Sequence, residues 1–182
     1  MGALRRCCLL LVMLLLPSEA RAHRHRAGAF GGYSWDKGST LQGFQFSGEW
    51  MLQGTTPAGT KVTRPFSLFG DFGANWGSHE RGDRTQVGLM GGLRARWPFG
   101  GSKKVVQPFA HLVLGFVHTQ DSAPNASDSA WGPGAGFGVD VRLGDGLFLR
   151  GEFDYVRLQW SEGIARSYRR YSVGFDLRLG SY

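Results

Sequence analysis

Hydrophobic and polar residues alternate along most of this chain, most regularly between Trp131 and Trp160. Pro133, Ala135, Phe137, Val139, Val141 and Leu143 alternate with Gly132, Gly134, Gly136, Gly138, Asp140 and Arg142. After Gly144-Asp145-Gly146, the residues Leu149, Gly151, Phe153 and Tyr155 alternate with Arg150, Glu152 and Asp154. Period-two patterning around a glycine-flanked turn predicts a β-hairpin with one apolar and one polar face. The same pattern recurs over Ala29–Trp35, Leu41–Leu52, Phe66–Trp76, Gln86–Trp97, Val105–His118 and Tyr171–Leu179. The reading is all-β, with eight strands and no helix. Polar stretches rich in Gly, Ser, Thr and Pro separate the strands.

If the eight strands close into one antiparallel up-and-down sheet, all apolar faces share one side. The polar faces then bring together Glu49, Asp71, Asp140, Glu152, Asp154 and Asp176 with Arg94, Arg96, Arg142, Arg150 and Arg178, and add His111. Opposite and nearly balanced charge suits a sealed lumen, which puts the apolar face toward lipid. Trp35, Trp50, Trp76, Trp97, Trp131 and Trp160 all fall at or near strand ends, and with Tyr171 they form the expected interfacial girdles. Strands of about ten residues match the ~9 to 11 that a tilted strand needs to cross a bilayer. The strand-six glycines are read as lumen-facing spacers that give the long arginines room. The fold class expected is a closed transmembrane β-barrel. A periplasmic lipocalin-like carrier, with the apolar faces turned inward around a hydrophobic ligand, is the soluble alternative.

The first residues change the picture by adding a destination. Arg5 and Arg6 precede eight apolar residues, Leu9 to Leu16, and Ala20-Arg21-Ala22 fits a cleavage site, so residues 1–22 read as a signal peptide. Residues 23–28 then read as a short basic tail and 29–182 as the barrel. Both cysteines, Cys7 and Cys8, lie in the leader, which leaves no disulfide, thiol nucleophile or cysteine metal site in the exported part. Losing three arginines and one glutamate with the leader lowers the formal charge from +7 to +5. The positive charge is dispersed without a recognition motif, so no nucleic-acid partner is expected.

Three segments carry a resemblance: Phe30-Gly31-Gly32-Tyr33-Ser34, Gln107-Pro108-Phe109-Ala110 and Gly136-Phe137-Gly138-Val139-Asp140. With them the chain resembles the small outer-membrane β-barrel proteins of Gram-negative bacteria, the OmpA-like and OmpX-like eight-stranded group, over residues 29–179. The resemblance implies a bacterial outer-membrane location, insertion by the barrel-assembly machinery, outer-membrane lipids and lipopolysaccharide as surroundings, and a monomer; no periplasmic peptidoglycan-binding domain is expected, because nothing follows the barrel. Ser172, Gly174, Leu177 and Leu179 fit the family's terminal assembly pattern, whereas Tyr182 is one residue out of phase with Leu179.

Candidate chemistry is sparse. The alternating glycines of 132–138 precede no helix and do not form a phosphate loop. Arg81-Gly82-Asp83 reads as a polar turn. His118 has lipid-facing parity, as in related deacylases, but Gln120 stands where those enzymes carry serine. No metal-ligand spacing is convincing, so no cofactor, metal or catalytic residue is assigned and the protein is read as no enzyme. With the amino terminus periplasmic, the outward connections carry Arg81, Arg84, Arg166, Arg169 and Arg170, which are expected to contact lipopolysaccharide phosphates. The function expected is that of a structural or surface envelope component with a charge-plugged lumen. A narrow, porin-like passive pore is the alternative.

Overall fold

The computed structural model describes residues 25–36, 39–55, 61–79, 82–97, 99, 105–122, 127–160, 163 and 165–179. The proposed leader, Arg81 and Tyr182 lie outside them. Eight strands follow one another: β1 (His25–Asp36), β2 (Ser39–Thr55), β3 (Lys61–His79), β4 (Gly82–Arg96), β5 (Val106–Asp121), β6 (Ser127–Arg142), β7 (Leu147–Trp160) and β8 (Ala165–Leu179). Each pairs antiparallel with the next, and β8 pairs back onto β1 to close the barrel. Closure leaves no edge strand, the condition for a sheet to sit in hydrocarbon.

Two expectations need correction. The strands run from 12 to 19 residues rather than about ten, so several project beyond a bilayer core. Residues 25–28, expected in a basic tail, instead belong to β1 and pair with both β2 and β8. The hairpin after β6 forms as its pattern suggests, with Gly146 supplying a positive φ of 78°. The Leu143 and Gly144 amides both donate to the Leu147 carbonyl.

Register fixes the barrel's dimensions. Directly paired residues run from His25 through Trp50, Leu68, Leu93, Leu112, Ala135, Tyr155 and Arg169 to Trp35, ten residues further along β1. A shear of ten over eight strands, with ~3.3 Å per residue and ~4.8 Å between strands, gives a tilt of about 40°. Each residue then advances about 2.5 Å along the axis, and each step to the next strand about 3 Å. On this scale Trp76 and Trp131 stand level at the far end, with Trp35 at the same height by its backbone register. Trp50 and Trp97 lie about 25 Å below, the height of an apolar band between two aromatic girdles.

The wall is apolar and the interior is not. Phe46, Leu89, Leu112, Leu114, Phe137, Val173 and Phe175 are exposed on the outside, Leu112 by 67% and Phe137 by 62%. Glu49, Asp71, Arg94, Asp140, Arg150, Asp154 and Asp176 are buried inside. That inversion overturns the lipocalin-like alternative, whose pocket would be lined by the residues that face outward here. Two girdle assignments also change. Trp160 shares the parity of Arg150 and Asp154 and is buried in the lumen. Tyr171 faces outward but lies about 8 Å inside the far-end tryptophan level on the register scale, packed on Phe153 with ring centroids 4.6 Å apart.

Candidate functional site

The near end, where β1 begins and β8 finishes, is filled by a charge cluster. Asp140 accepts two hydrogen bonds from Arg150, from Nε at 2.6 Å and Nη2 at 3.1 Å. It also takes Arg26 Nη1 at 2.5 Å and Arg96 Nε at 3.3 Å. Asp176 bridges Arg26 and Arg150, each at 3.0 Å. Glu49 accepts from Arg94, Arg96 and Ser67. Phe109 lies among three guanidiniums, those of Arg94 at 4.5 Å, Arg150 at 5.0 Å and Arg96 at 5.4 Å from its ring centre, so the ring face complements the cations that its bulk helps to desolvate.

A second tier continues toward mid-barrel. Arg94 reaches Glu152 at 2.9 Å, and Arg170 joins Asp71 at 3.0 Å to Asp154 at 2.8 Å. His111 Nε2 is 2.6 Å from the other Asp154 oxygen. His111, Glu152 and Asp154 are close enough to suggest a metal triad. Arg94 and Arg170, however, already occupy Glu152 Oε2 and Asp154 Oδ2, so a dication would have to enter beside two guanidiniums. Gly136 leaves the space for the histidine–aspartate pair, because a Cβ there would overlap His111 Nε2 and Asp154 Oδ1. Gly138 does the same for the Phe109 ring. Of the strand-six glycines, Gly136 and Gly138 make room for an imidazole and a phenyl ring rather than for arginines, whereas a Cβ at Gly132 or Gly134 would meet β7 at Arg157 and Leu158 or at Tyr155 and Val156.

Above these tiers the filling changes character. Met90, Val113, Val117, Ala130, Val156, Leu158, Trp160 and Tyr168 form a buried apolar cluster toward the far end. Sequence alternation hid these residues because their inward parity was read as polar throughout. Val113 and Val117 put valine on the inward face of β5, between Phe109, His111 and Thr119. Arg84 caps the far end through a bidentate pair with Asp121 at 2.6 and 2.9 Å.

Most of the expected lumen residues come together, with changes at the margins. Arg142 turns away from the carboxylates to the hairpin, meeting Asp145 at 2.7 Å and the Gly144 carbonyl. Arg178 borders the near mouth, over Phe148 and donating to Gln107. Arg26 and Arg170 were not expected in the lumen and are central to it. Of the arginines expected to touch lipopolysaccharide, Arg84 and Arg170 are therefore buried ion-pair partners, a correction forced by their inward parity. Arg166 lies over the Trp160 ring at 5.9 Å. Arg169 is exposed on the outer wall. So is His118, whose Nδ1 lies 2.9 Å from Ser129 Oγ across the β5–β6 ladder.

A closed eight-stranded barrel with an apolar band and a charged interior matches what comparison with known proteins finds. The family model described as "Outer membrane protein beta-barrel domain" matches residues 7–178. The chain belongs to that family. Its location is accordingly the bacterial outer membrane. Neisserial surface protein A has a similar structure at 11% identity, covering 89% of this chain and all of that one with a TM-score of 0.62. Ail, the attachment invasion locus protein of Yersinia pestis, is similar at 12% identity, covering 87% of this chain and 99% of that one with a TM-score of 0.51. At these identities the likeness is one of fold. No curated protein matches the chain.

Proposed function

We propose that this outer-membrane barrel is a non-enzymatic, monomeric envelope component whose lumen does not conduct and whose contacts are made by its outer wall and far-end loops. In this reading the leader is cleaved after Ala22, the barrel-assembly machinery inserts the chain, and lipopolysaccharide is its lipid partner. The observation that carries the reading is the continuity of the lumen filling. Asp140, Asp176, Arg150 and Arg26 close the near end in mutual hydrogen bonds, and the Val117–Leu158–Trp160 cluster occupies the far end. An ion would have to break buried pairs and then cross an apolar layer, each step costing several kcal/mol. Planar-bilayer recording of the purified protein tests this. The expected result is no steady single-channel current. A steady current would replace the sealed barrel with the narrow passive pore.

A further inference from the structure

Arg157 on β7 and Arg169 on β8 both point outward and are exposed. They differ from the other arginines whose side chains are described. Arg26, Arg84, Arg94, Arg96, Arg150 and Arg170 pair with carboxylates inside the barrel. Arg142 holds the hairpin aspartate, Arg178 an amide and a ring, and Arg166 a ring. Arg157 and Arg169 have no partner among the described residues. The register sets Tyr155 opposite Arg169 and Arg157 opposite Ser167, so the two arginines are diagonal neighbours, with Cα atoms roughly 7 to 8 Å apart. Both lie within about 4 Å of the far-end tryptophan level. Asp83 is the one carboxylate at an outward position of the described strands, and it is on β4, away from this seam.

Two like charges held this close in a low-dielectric belt repel unless an anion sits between them. Beside Arg157 the outer face of the wall is also indented. β6 and β7 keep one register from Trp131↔Gln159 to Gly134↔Val156, and Pro133 between them has no amide to donate. A cleft of about 160 Å³ lies there, lined by Trp131, Gly132, Pro133, Arg157, Gln159 and Ala165. Guanidinium forks bind phosphate oxygens in pairs, and an indole beside them suits the boundary between headgroup and acyl chain.

We propose that this β7–β8 seam binds the phosphate of a phosphorylated glycolipid of the outer leaflet, with Arg157 and Arg169 holding the phosphate and the Trp131 cleft taking the adjoining part of the lipid. The proposal rests on the envelope-component reading and deepens its lipid contact. It is tested by native mass spectrometry of the detergent-extracted protein with three probes: diphosphoryl lipid A, dephosphorylated lipid A and inorganic phosphate. The wild type should retain the diphosphoryl form about tenfold better than the dephosphorylated one, the scale of one charge-assisted contact. Arg157→Gln/Arg169→Gln should lose that preference while still migrating differently in gels before and after boiling, the expected mark of a folded barrel.

Equal retention of the two lipids by the wild type would overturn the site, and this comparison decides the matter even if the double variant fails to fold. Unchanged preference in a folded double variant would overturn it as well. Displacement of the lipid by millimolar inorganic phosphate would mean a free-anion site and reject the lipid assignment. The sealed-lumen reading fails separately, by a steady current with the lipid preference intact.

Discussion

Asp140→Asn is the most informative single change, because one carboxylate there serves three guanidiniums. Its oxygens take four hydrogen bonds from Arg26, Arg96 and Arg150 at 2.5 to 3.3 Å, and the residue is fully buried. A unit pair at 4 Å is worth about 4 kcal/mol at an effective dielectric of 20, so the gross attraction is on the order of 12 kcal/mol. Most of that is offset by the desolvation that a neutral asparagine avoids. The three arginines also keep Asp176, Gln107 and Glu49 as partners. The net loss should therefore fall near the lower end of the range for breaking a buried pair, about 3 kcal/mol.

Urea unfolding in lipid vesicles, followed by tryptophan fluorescence, measures this loss, and the gel shift on boiling confirms that the barrel forms. Among the three arginines that Asp140 serves and the carboxylates Asp140, Asp176 and Glu49 that they meet, the change leaves an excess of one positive charge. Adding Arg26→Gln restores the balance, so the double variant should be more stable than the sum of the single losses predicts, by about 1 to 3 kcal/mol. A loss below about 1 kcal/mol for Asp140→Asn, or strict additivity in the double variant, would refute the reading of this cluster as one interdependent unit.

Two further changes probe other parts of the argument. Leu112 is 67% exposed and stands midway between the two tryptophan levels, so Leu112→Arg should cost about 2 to 4 kcal/mol in vesicles, and a neutral outcome would deny that this wall faces lipid. Arg170→Gln leaves Asp71 and Asp154 buried without their shared cation and should cost about 3 to 5 kcal/mol. Lipopolysaccharide co-purifying with that variant should stay at the wild-type level, and a drop in lipid without a drop in stability would return Arg170 to the surface.

How much of this was legible in the sequence depends on where each strand was taken to end. Alternation over the strand centres was enough for the barrel, the apolar wall and the meeting of Glu49, Asp71, Arg94, Arg96, Asp140, Arg150, Glu152, Asp154 and Asp176. The misplaced residues lie at the margins. Arg26 is in phase with Gly28 and Gly32, and Arg84 with Gln86. Trp160 is in phase with Asp154, and Arg170 with Ser172 and Asp176. Each was assigned to a tail, a loop or a girdle because the strand was stopped one or two turns of the pleat too early. A basic tail and an arginine-rich loop look alike in composition to a strand end carrying a lumen cation. Only carrying the parity outward separates them.

The same rule separates two fates of arginine on the last two strands. Even positions of β7 and β8 direct Arg150 and Arg170 into the lumen, where buried carboxylates are close enough to offset desolvation. Odd positions direct Arg157 and Arg169 into the wall, where no carboxylate among the described residues of β7 and β8 faces outward beside them. Height decides whether that is tolerable. An arginine on the wall at the level of Leu112 would be a defect, whereas two at the level of Trp131 can meet lipid phosphate. Parity and the shear of ten together give both coordinates for any strand residue, the face from the count along the strand and the height from the count around the barrel. What they could not give is the apolar character of the far-end lumen. Inward positions in a closed barrel accept valine and leucine as readily as charge, provided they pack on one another, and Val117, Val156 and Leu158 do so across β5 and β7.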